Sequence, residues 1–281
     1  MNEINVSVIV TTKNEEDHIG DCLRAIEIQN YPQDKIEIIV VDNNSSDRTK
    51  EIAFRFTPLV FDQGPERSAQ RNFGIEKARG KYLLYLDADM TLSEEVVTEC
   101  VKKCDYDNLD ALYIPEIIVG NGFWIQVRNF EREFYNSTCI DAVRFLRAKL
   151  TREIGGFDED LNGPEDWDFN RRIGDSGKVG IIRNPLYHNE GEFNLKIYLR
   201  KKSYYSRGFD QYINKWGKRD KIIHKQFGFW YRYVGVFIEN GNSKRLFLHP
   251  VLATGMYVLR LLVGLNYLFN TKDNLILREK I

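Results

Sequence analysis

The chain has 281 residues, with 40 Lys and Arg against 41 Asp and Glu, a formal net charge of −1 and 43% hydrophobic residues. This length allows one large domain, or a domain with an appended segment, around a substantial core. The balanced charge excludes a global polycation of the kind that recruits nucleic acid, so no nucleic-acid partner is expected and any anion binding must be local.

The N-terminal part predicts alternating strands and helices. The β-branched runs at 6–10 and 36–41 are typical of parallel strands covered on both faces, and apolar residues recur at helical spacing over 19–26. The pattern continues with a helix over 47–56 capped by Ser45 or Ser46, a strand over 59–61, a helix over 68–78 and a strand over 82–86. This order implies right-handed crossovers and an open parallel sheet.

The pattern after residue 92 is less regular. It predicts a helix over 94–104, a strand over 111–115, a mixed stretch to 150, a glycine-rich loop over 155–166, a helix over 166–173 and a strand over 179–182. The composition beyond Pro185 becomes basic and aromatic.

The cysteines indicate reduced thiols. None forms a Cys-x-x-Cys pair, and Cys100 and Cys104 share a predicted helix face with apolar Val97, which favours core residues over metal ligands; the others are Cys22 and Cys139. A reducing, cytoplasmic compartment is therefore expected. The N-terminus lacks the pattern of a signal peptide, so secretion is not expected.

Polar residues follow three of the predicted strands, at 11–15, 42–47 and 87–89. The carboxyl ends of parallel strands form the ligand site in open α/β sheets. Polar residues after a single strand are ordinary, because loops lie on the surface. Three strand ends that all carry carboxylates at one edge of the sheet predict a binding site.

Asp87 and Asp89 form an Asp-x-Asp pair at a strand end. Side chains at i and i+2 share a face while strand geometry lasts, so the pair offers a hard oxygen site suited to Mg²⁺ or Mn²⁺. A divalent metal there would neutralise a diphosphate leaving group. The alternative is an acidic turn without a ligand.

Four ordered segments resemble the nucleotide-binding half of glycosyltransferase family 2, namely Ser7–Glu15 (SVIVTTKNE), Val40–Thr49 (VVDNNSSDRT), Arg71–Gly74 (RNFG) and Tyr82–Asp89 (YLLYLDAD). The resemblance implies an inverting transferase that takes a sugar from a nucleotide-diphosphate sugar, with UDP favoured. It implies nucleotide-sugar-binding roles for Thr11 and Glu15 at the nucleoside, Asp42 at the base, Arg71 at the donor and Asp87 near the ribose.

The same resemblance makes Asp89 the main metal ligand, with Asp87 beside it. A histidine comparable to His188 meets the metal or the diphosphate in many relatives, so His188 is a further expected ligand. A lone histidine is more often structural.

Inverting transfer needs a general base for the acceptor hydroxyl. Glu165 and Asp166 follow the glycine-rich loop at a helix start and match the family's acidic pair, and Asp166 is the expected base. A helix N-terminus keeps a carboxylate ionised, and the loop can close over substrate. Glu165 and Asp168 remain alternatives, and Asp166 could simply cap the helix.

The resemblance fades after His188, so the C-terminal part is interpreted physically. The run at 227–238 is densely aromatic, and 251–269 is almost wholly apolar apart from Arg260 and two uncharged polar residues. Arg260 disfavours a membrane span, at about 2.5 to 3.5 kcal/mol on insertion scales. The segment could instead pack on the catalytic domain or lie in a membrane interface. The interface is preferred because aromatic and basic residues flank the segment.

That preference predicts a lipid-linked or growing glycan acceptor, with the enzyme cytoplasmic or peripheral on the cytoplasmic membrane face. The basic residues proposed to hold an acceptor phosphate are Arg200, Lys201, Lys202 and Arg207. A solvated helix face explains them as well.

The expected fold is α/β of the GT-A type: an open, mainly parallel twisted sheet with helices on both faces and an α-helical C-terminal extension. The expected domains are a catalytic domain over 1–220, divided into 1–92 and 93–220, and an extension over 221–281. Phosphate-loop, dinucleotide, nucleophile-elbow and zinc-helix motifs are absent from the sequence. The rivals are a nucleotidyltransferase, which would carry a glycine-rich activating loop, and a catalytically silent nucleotide-binding or membrane scaffold subunit.

Overall fold

A computed structural model describes residues 3–278. Its strands are β1 Val6–Thr12, β2 Ile36–Asp42, β3 Val60–Asp62, β4 Tyr82–Asp87, β5 Met90–Leu92, β6 Ala111–Tyr113, β7 Glu116–Asn121, β8 Val143–Arg147, β9 Val179–Ile181 and β10 Leu186–Glu192. Its helices are α1 Ile19–Glu27, α2 Thr49–Ala53, α3 Arg67–Lys77, α4 Val96–Tyr106, α5 Phe123–Arg132, α6 Ala148–Glu153, α7 Glu165–Ser176, α8 Leu195–Ser206, α9 Phe209–Trp216, α10 Lys221–Phe227, α11 Val236–Ile238, α12 Lys244–Leu248 and α13 Pro250–Arg278. A 3₁₀ turn covers Gln33–Lys35 and a π-helical turn covers Tyr231–Gly235.

The chain forms two compact units. The first contains the described residues up to 117 together with 139–160 and 165–189, and the second contains 118–138, 161–164 and the described residues from 190 onward. The boundary predicted near residue 220 stays a prediction.

The first unit is built on a seven-stranded sheet of order β3-β2-β1-β4-β8-β6-β9. β1 is parallel to β2 and β4, and β2 is parallel to β3, whereas β8 is antiparallel to β4 and β6. The expected open and mainly parallel sheet is therefore confirmed. A smaller sheet has the order β5-β10-β7.

Both faces of the large sheet are buried, as the continuous apolar runs predict. Val8 and Val10 pack in a core cluster with α1 and α4, while Ile9 packs on the opposite face with residues of α3 and α7. Cys100 and Cys104 lie fully buried in the first cluster, which confirms their interpretation as core residues.

The parallel register aligns the strand ends that carry polar residues. Thr11 lies opposite Asp87, and Thr12 lies opposite Asp42. The edge at which β1, β2 and β4 end therefore collects two carboxylates and two hydroxyls.

The predicted capping of the helix over 47–56 is wrong. The helix is only five residues long, α2, and its N-cap has no side-chain hydrogen bond. The hydroxyl of Ser45 instead donates to Asp42 at 2.5 Å, and the backbone N–H of Thr49 donates to Asp47 at 3.0 Å. Ser45 therefore bonds to the aspartate at the end of β2 and does not cap the helix.

The second unit is mainly helical, and α13 packs on α5 and α8 within it. The side of α13 that carries Met256, Leu259 and Arg260 is buried. The other side leaves a stripe of apolar residues exposed, Val251, Val258, Leu261, Leu265 and Leu268. The helix thus combines internal packing with an apolar outer face.

The 19 residues Pro250–Leu268 are long and apolar enough to cross a membrane, and 28% of that segment is buried. The guanidinium of Arg260 contacts Glu131 on α5 at 3.0 Å. The charge expected to oppose membrane insertion is therefore paired inside the unit.

Candidate active site

Asp42 ends β2 and is fully buried. Its carboxylate accepts hydrogen bonds from the backbone N–H of Ser45 at 2.6 Å and from the Ser45 hydroxyl at 2.5 Å. These bonds hold the loop after β2 against the strand end, and they fix the orientation of the predicted base-binding carboxylate.

Asp87 ends β4 and is bonded to residues of β1 and α3. It accepts from the Thr11 hydroxyl at 3.0 Å and from Arg71 at 3.2 Å, and Arg67 lies 3.7 Å away. Burial alone raises the pKa of the Asp87 carboxyl, but the neighbouring Arg71 and Arg67 outweigh it and hold that pKa well below its usual range. Asp87 is therefore ionised at neutral pH.

Arg71 is completely buried on α3 and joins two predicted site residues. One terminal nitrogen lies 2.7 Å from Asp166, and the other donates to Asp87. The guanidinium also lies 4.6 Å from the ring centroid of Tyr85 and 5.1 Å from that of Phe157. Such packing on rings with charge pairing at both tips fixes a planar donor in one orientation.

The three acidic residues at the start of α7 point to different partners. Asp166 binds Arg71, Glu165 binds Arg67 at 3.0 Å, and Asp168 binds Arg172 on its own helix at 2.8 Å. The side chain of Asp166 is 22% exposed, against 3% for Glu165 and 0% for Asp168. Asp166 is thus the most accessible of the three acids.

Glu165 differs from Asp166 electrostatically. Burial and the charge of Asp166 raise the pKa of the Glu165 carboxyl. One of its oxygens is buried without a hydrogen-bond partner among the described residues. The charges of Arg67 and Arg71 act in the opposite direction on this pKa but do not outweigh burial.

His188 lies between two carboxylates. Its Nε2 is 3.1 Å from Asp89, and its Nδ1 is 2.9 Å from Glu116. Burial lowers the pKa of the imidazole, but hydrogen bonding to the two acids outweighs it and raises the pKa to about 10. Both ring nitrogens therefore carry protons and donate at neutral pH.

The donor set suits a divalent metal in part. Oδ1 of Asp89 is buried and has no hydrogen-bond partner within the described residues, and carboxylate oxygens are the ligands that Mg²⁺ and Mn²⁺ prefer. In the described part of the chain, no group of three or more His, Cys, Asp and Glu side chains is arranged to hold a metal. One or two carboxylates completed by phosphate oxygens and water form a sufficient site without such a group.

Glu15 and the four basic residues predicted on the acceptor side have different environments. Glu15 is half-buried, and its backbone N–H donates to Thr49 at 2.8 Å. Of the four basic residues proposed to hold an acceptor phosphate, Lys202 is partly buried. The other three are exposed, Arg200, Lys201 and Arg207. Lys202 therefore lies in a different environment from the other three.

Three charged residues of the site were not predicted. Arg67 lies one helical turn before Arg71, so the helix period could have indicated it. Glu116 and Arg144 are buried and 3.5 Å apart. Their partners are distant in sequence, so no local pattern marks them.

The sequence model described as Glycosyl transferase family 2 matches residues 7–158, which include the ends of β1, β2 and β4. The chain belongs to this family. Its GT-A fold agrees with that of solved structures.

Two known proteins are similar to the chain in sequence. The chain is 44% identical over 190 residues to "Glycosyltransferase AglE" of Haloferax volcanii, covering 61% of this chain and 62% of that protein. It is 24% identical over 222 residues to "Poly(ribitol-phosphate) beta-N-acetylglucosaminyltransferase TarS" of Staphylococcus aureus, covering 71% of this chain and 38% of that protein. The chain thus spans less than two thirds of either relative.

Two solved structures share the fold. The mannosyltransferase PcManGT of Pyrobaculum calidifontis, in complex with GDP-Man and Mn²⁺, matches with a TM-score of 0.60 at 21% identity, over 99% of this chain and 81% of that one. S. aureus TarS 1-349 in complex with UDP-GlcNAc matches with a TM-score of 0.57 at 18% identity, over 87% of this chain and 76% of that one. Nucleotide-sugar donors are thus bound by neighbours with this fold.

Proposed function

We propose that this protein is an inverting, metal-dependent glycosyltransferase that moves a sugar from a UDP-sugar to a lipid-linked acceptor. The observation that carries the proposal is the buried Arg71, whose two tips hold Asp87 at the end of β4 and Asp166 at the start of α7. A donor-side acid and a base candidate are thereby kept in one arrangement.

The donor would bind at the ends of β1, β2 and β4. Asp42 can accept a hydrogen bond from a base N–H, because an ionised carboxylate is an acceptor only. Thr11 and Glu15 are proposed to line the nucleoside pocket, and Asp87 to lie near the ribose. Arg71 is proposed to contact the donor through its Nε, which is buried and has no hydrogen-bond partner among the described residues.

Asp89 and Asp87 would hold the divalent metal, with His188 beside them. When bound, Mn²⁺ or Mg²⁺ supplies Lewis-acid neutralisation of the leaving diphosphate. His188 donates to Asp89 at 3.1 Å, and the other oxygen of that carboxylate has no hydrogen-bond partner among residues 3–278. Its positive charge would also face the diphosphate.

Asp166 would act as the base. It takes the proton of the acceptor hydroxyl while the acceptor oxygen forms a bond to the anomeric carbon and the bond from that carbon to the diphosphate oxygen breaks. The products are the glycosylated acceptor and a nucleoside diphosphate. Arg71 orients Asp166 for this transfer.

A screen of melting temperature with nucleotide sugars and MnCl₂ tests the donor site directly. A ligand at about 100 times its dissociation constant stabilises the folded state by about 2.7 kcal/mol, so a UDP-sugar should shift the melting temperature only with metal present. A shift by a GDP-sugar alone would show that the nucleobase is guanine rather than uracil. No shift by any nucleotide would favour a catalytically silent membrane scaffold.

The lipid-linked acceptor is supported by the outer surface of the second unit. Trp230 is 77% exposed and Phe247 is 83% exposed, in addition to the apolar stripe of α13. Exposed lysines lie on nearby segments, Lys218, Lys221 and Lys244. Aromatic and basic residues of this kind suit the headgroup level of an anionic membrane, which supports peripheral association at the cytoplasmic face.

Sedimentation with anionic liposomes tests that association on the full-length chain. A large apolar side chain contributes about 1.5 to 3 kcal/mol on full burial, so replacing both Trp230 and Phe247 with Ser should lower membrane partitioning by at least about tenfold. Tyr106→Ser is the matched control, because Tyr106 is 85% exposed and lies in the first unit. Equal partitioning of both variants would refute membrane association through this surface.

A further inference from the structure

The second unit contains a group of charged side chains that the proposed mechanism does not use. Arg128 on α5 contacts Glu131 at 3.2 Å and Glu190 on β10 at 2.9 Å, and Arg260 on α13 contacts Glu131 at 3.0 Å. Both guanidinium groups are largely buried. These contacts occupy both carboxylates.

Two more cations, Lys202 and Arg232, belong to this group. The amino group of Lys202 lies 5.4 Å from the ring centroid of Tyr198, and the guanidinium of Arg128 lies 5.1 Å from the same centroid. In the described part of the chain, neither Lys202 nor Arg232 has a carboxylate within ion-pair distance. Positive charge is therefore in excess.

The excess has an electrostatic consequence at Lys202. Burial lowers the pKa of its amino group, and the charges of Arg128 and Arg232 lower it further, to about 7, although Glu131 and Glu190 act in the opposite direction. A lysine held among like charges destabilises the unit unless it loses its proton or gains an anion. An anion bound beside the amino group of Lys202 would stabilise its charged form.

The backbone at Arg232 is also unusual. Arg232 lies on the π-helical turn Tyr231–Gly235, and its carbonyl oxygen accepts a hydrogen bond from Arg260. Single π-helical turns are uncommon and occur frequently at functional sites. Arg232 joins the charged group through this backbone contact with Arg260, and its charge acts on the amino group of Lys202.

We propose that Lys202, Arg232 and Arg128 form an anion site in the second unit that binds the phosphate group of the lipid-linked acceptor. This assignment rests on the proposed transfer to such an acceptor. A phosphate supplies the missing negative charge and accepts charge-assisted hydrogen bonds from lysine and arginine donors. Arg200, Lys201 and Arg207, which are exposed, have no part in this site.

Binding of farnesyl phosphate to the full-length protein tests the site, with farnesol and inorganic phosphate as comparison ligands and UDP with MnCl₂ as the independent probe of the donor site. Lys202→Met should weaken farnesyl phosphate binding by about tenfold or more, the loss expected for one charge-assisted contact of about 1.4 kcal/mol or more. Lys196→Met, on the same helix α8 and exposed, is the matched control and should bind as the unmodified protein does. Farnesol should bind all three proteins equally and weakly.

Melting temperature supplies a second measurement. Because Lys202 lies among like charges without a carboxylate partner, Lys202→Met should melt at the same temperature as the unmodified protein or higher, whereas a lysine with a purely structural ion pair would lower it on removal.

The outcomes separate the proposals. Equal loss of farnesyl phosphate binding in both lysine variants, or none in either, overturns the site. Inorganic phosphate binding as tightly as farnesyl phosphate would overturn the acceptor assignment and leave a free-anion site. UDP binding without farnesyl phosphate binding would reject the anion site alone, and loss of both in the unmodified protein would reject the proposed function.

Discussion

Replacing Asp166 with Asn separates its proposed role as a base from its contact with Arg71. The variant keeps the size of the side chain and an oxygen that can still accept from Arg71 at 2.7 Å, but it removes the charge and the capacity to take a proton. Transfer should fall by about two to four orders of magnitude, the usual contribution of a general base. This corresponds to about 3 to 5 kcal/mol of transition-state free energy.

The folded state should lose less. A hydrogen bond to a charged group contributes about 1.5 to 3 kcal/mol, and part of it survives because the amide oxygen still accepts. A side chain that is 22% exposed is also partly solvated in the folded state. A loss of about 1 kcal/mol and a fall in melting temperature of about 2 to 4 °C are therefore expected.

The assay is release of nucleoside diphosphate from the donor found in the melting-temperature screen, with donor affinity measured by calorimetry on the same samples. Donor binding should persist, because Arg71 still pairs with Asp87. Glu165→Gln and Asp168→Asn test the rival bases under identical conditions. Turnover of Asp166→Asn at the rate of the unmodified protein would refute the reasoning and transfer the role to the acid whose amide variant is inactive.

Three further changes probe the metal, the charged group of the second unit and α13. Asp89→Ala should abolish Mn²⁺-dependent UDP binding in calorimetry while the circular dichroism spectrum is retained, and unchanged affinity would exclude Asp89 as the principal ligand. Glu131→Gln should cost about 3 to 5 kcal/mol in urea unfolding at neutral pH, because it leaves Arg128 and Arg260 without a shared carboxylate. These arginines outweigh burial and lower the pKa of Glu131 from 4.5 to about 2, so the stabilisation by its charge is present above about pH 4.5 and is lost as the pH falls toward 2. The unfolding free energies of Glu131→Gln and the unmodified protein should therefore converge near pH 2. Parallel plots of unfolding free energy against pH would contradict the assignment. A chain ending at Gln226 should be insoluble or unfolded by circular dichroism, because it lacks the helix that packs on α5 and α8, and a soluble folded product would show that α13 is dispensable.

The architecture of the first unit follows from local patterns. The runs at β1, β2 and β4 are continuous and apolar because both faces of a parallel sheet are covered, and this feature is visible in any window of a few residues. Parallel register then aligns the strand ends, so the proximity of Thr11 and Asp87 was predictable from the sequence. The residues 7–158 matched by the family model contain all of these features.

The site itself depends on contacts between residues that are far apart in the sequence, so no short segment of the chain contains both partners. Arg71 and Asp166 are separated by 95 positions, and His188 and Glu116 by 72. Whether a charged residue in a strand or helix is solvated or paired depends on which elements pack against it, and local pattern carries no record of that packing. Glu116 and Arg144 were missed for this reason.

The same limit applies to the C-terminal part. Its apolar composition correctly indicated burial or an apolar outer surface but could not choose between them, because an apolar helix satisfies both conditions. The structure shows both on α13, with Met256 and Leu259 buried and Val251 and Leu261 exposed. In the sequence, Arg260 only opposed membrane insertion. In the structure it pairs with Glu131, 129 positions earlier, because folding brings α13 against α5.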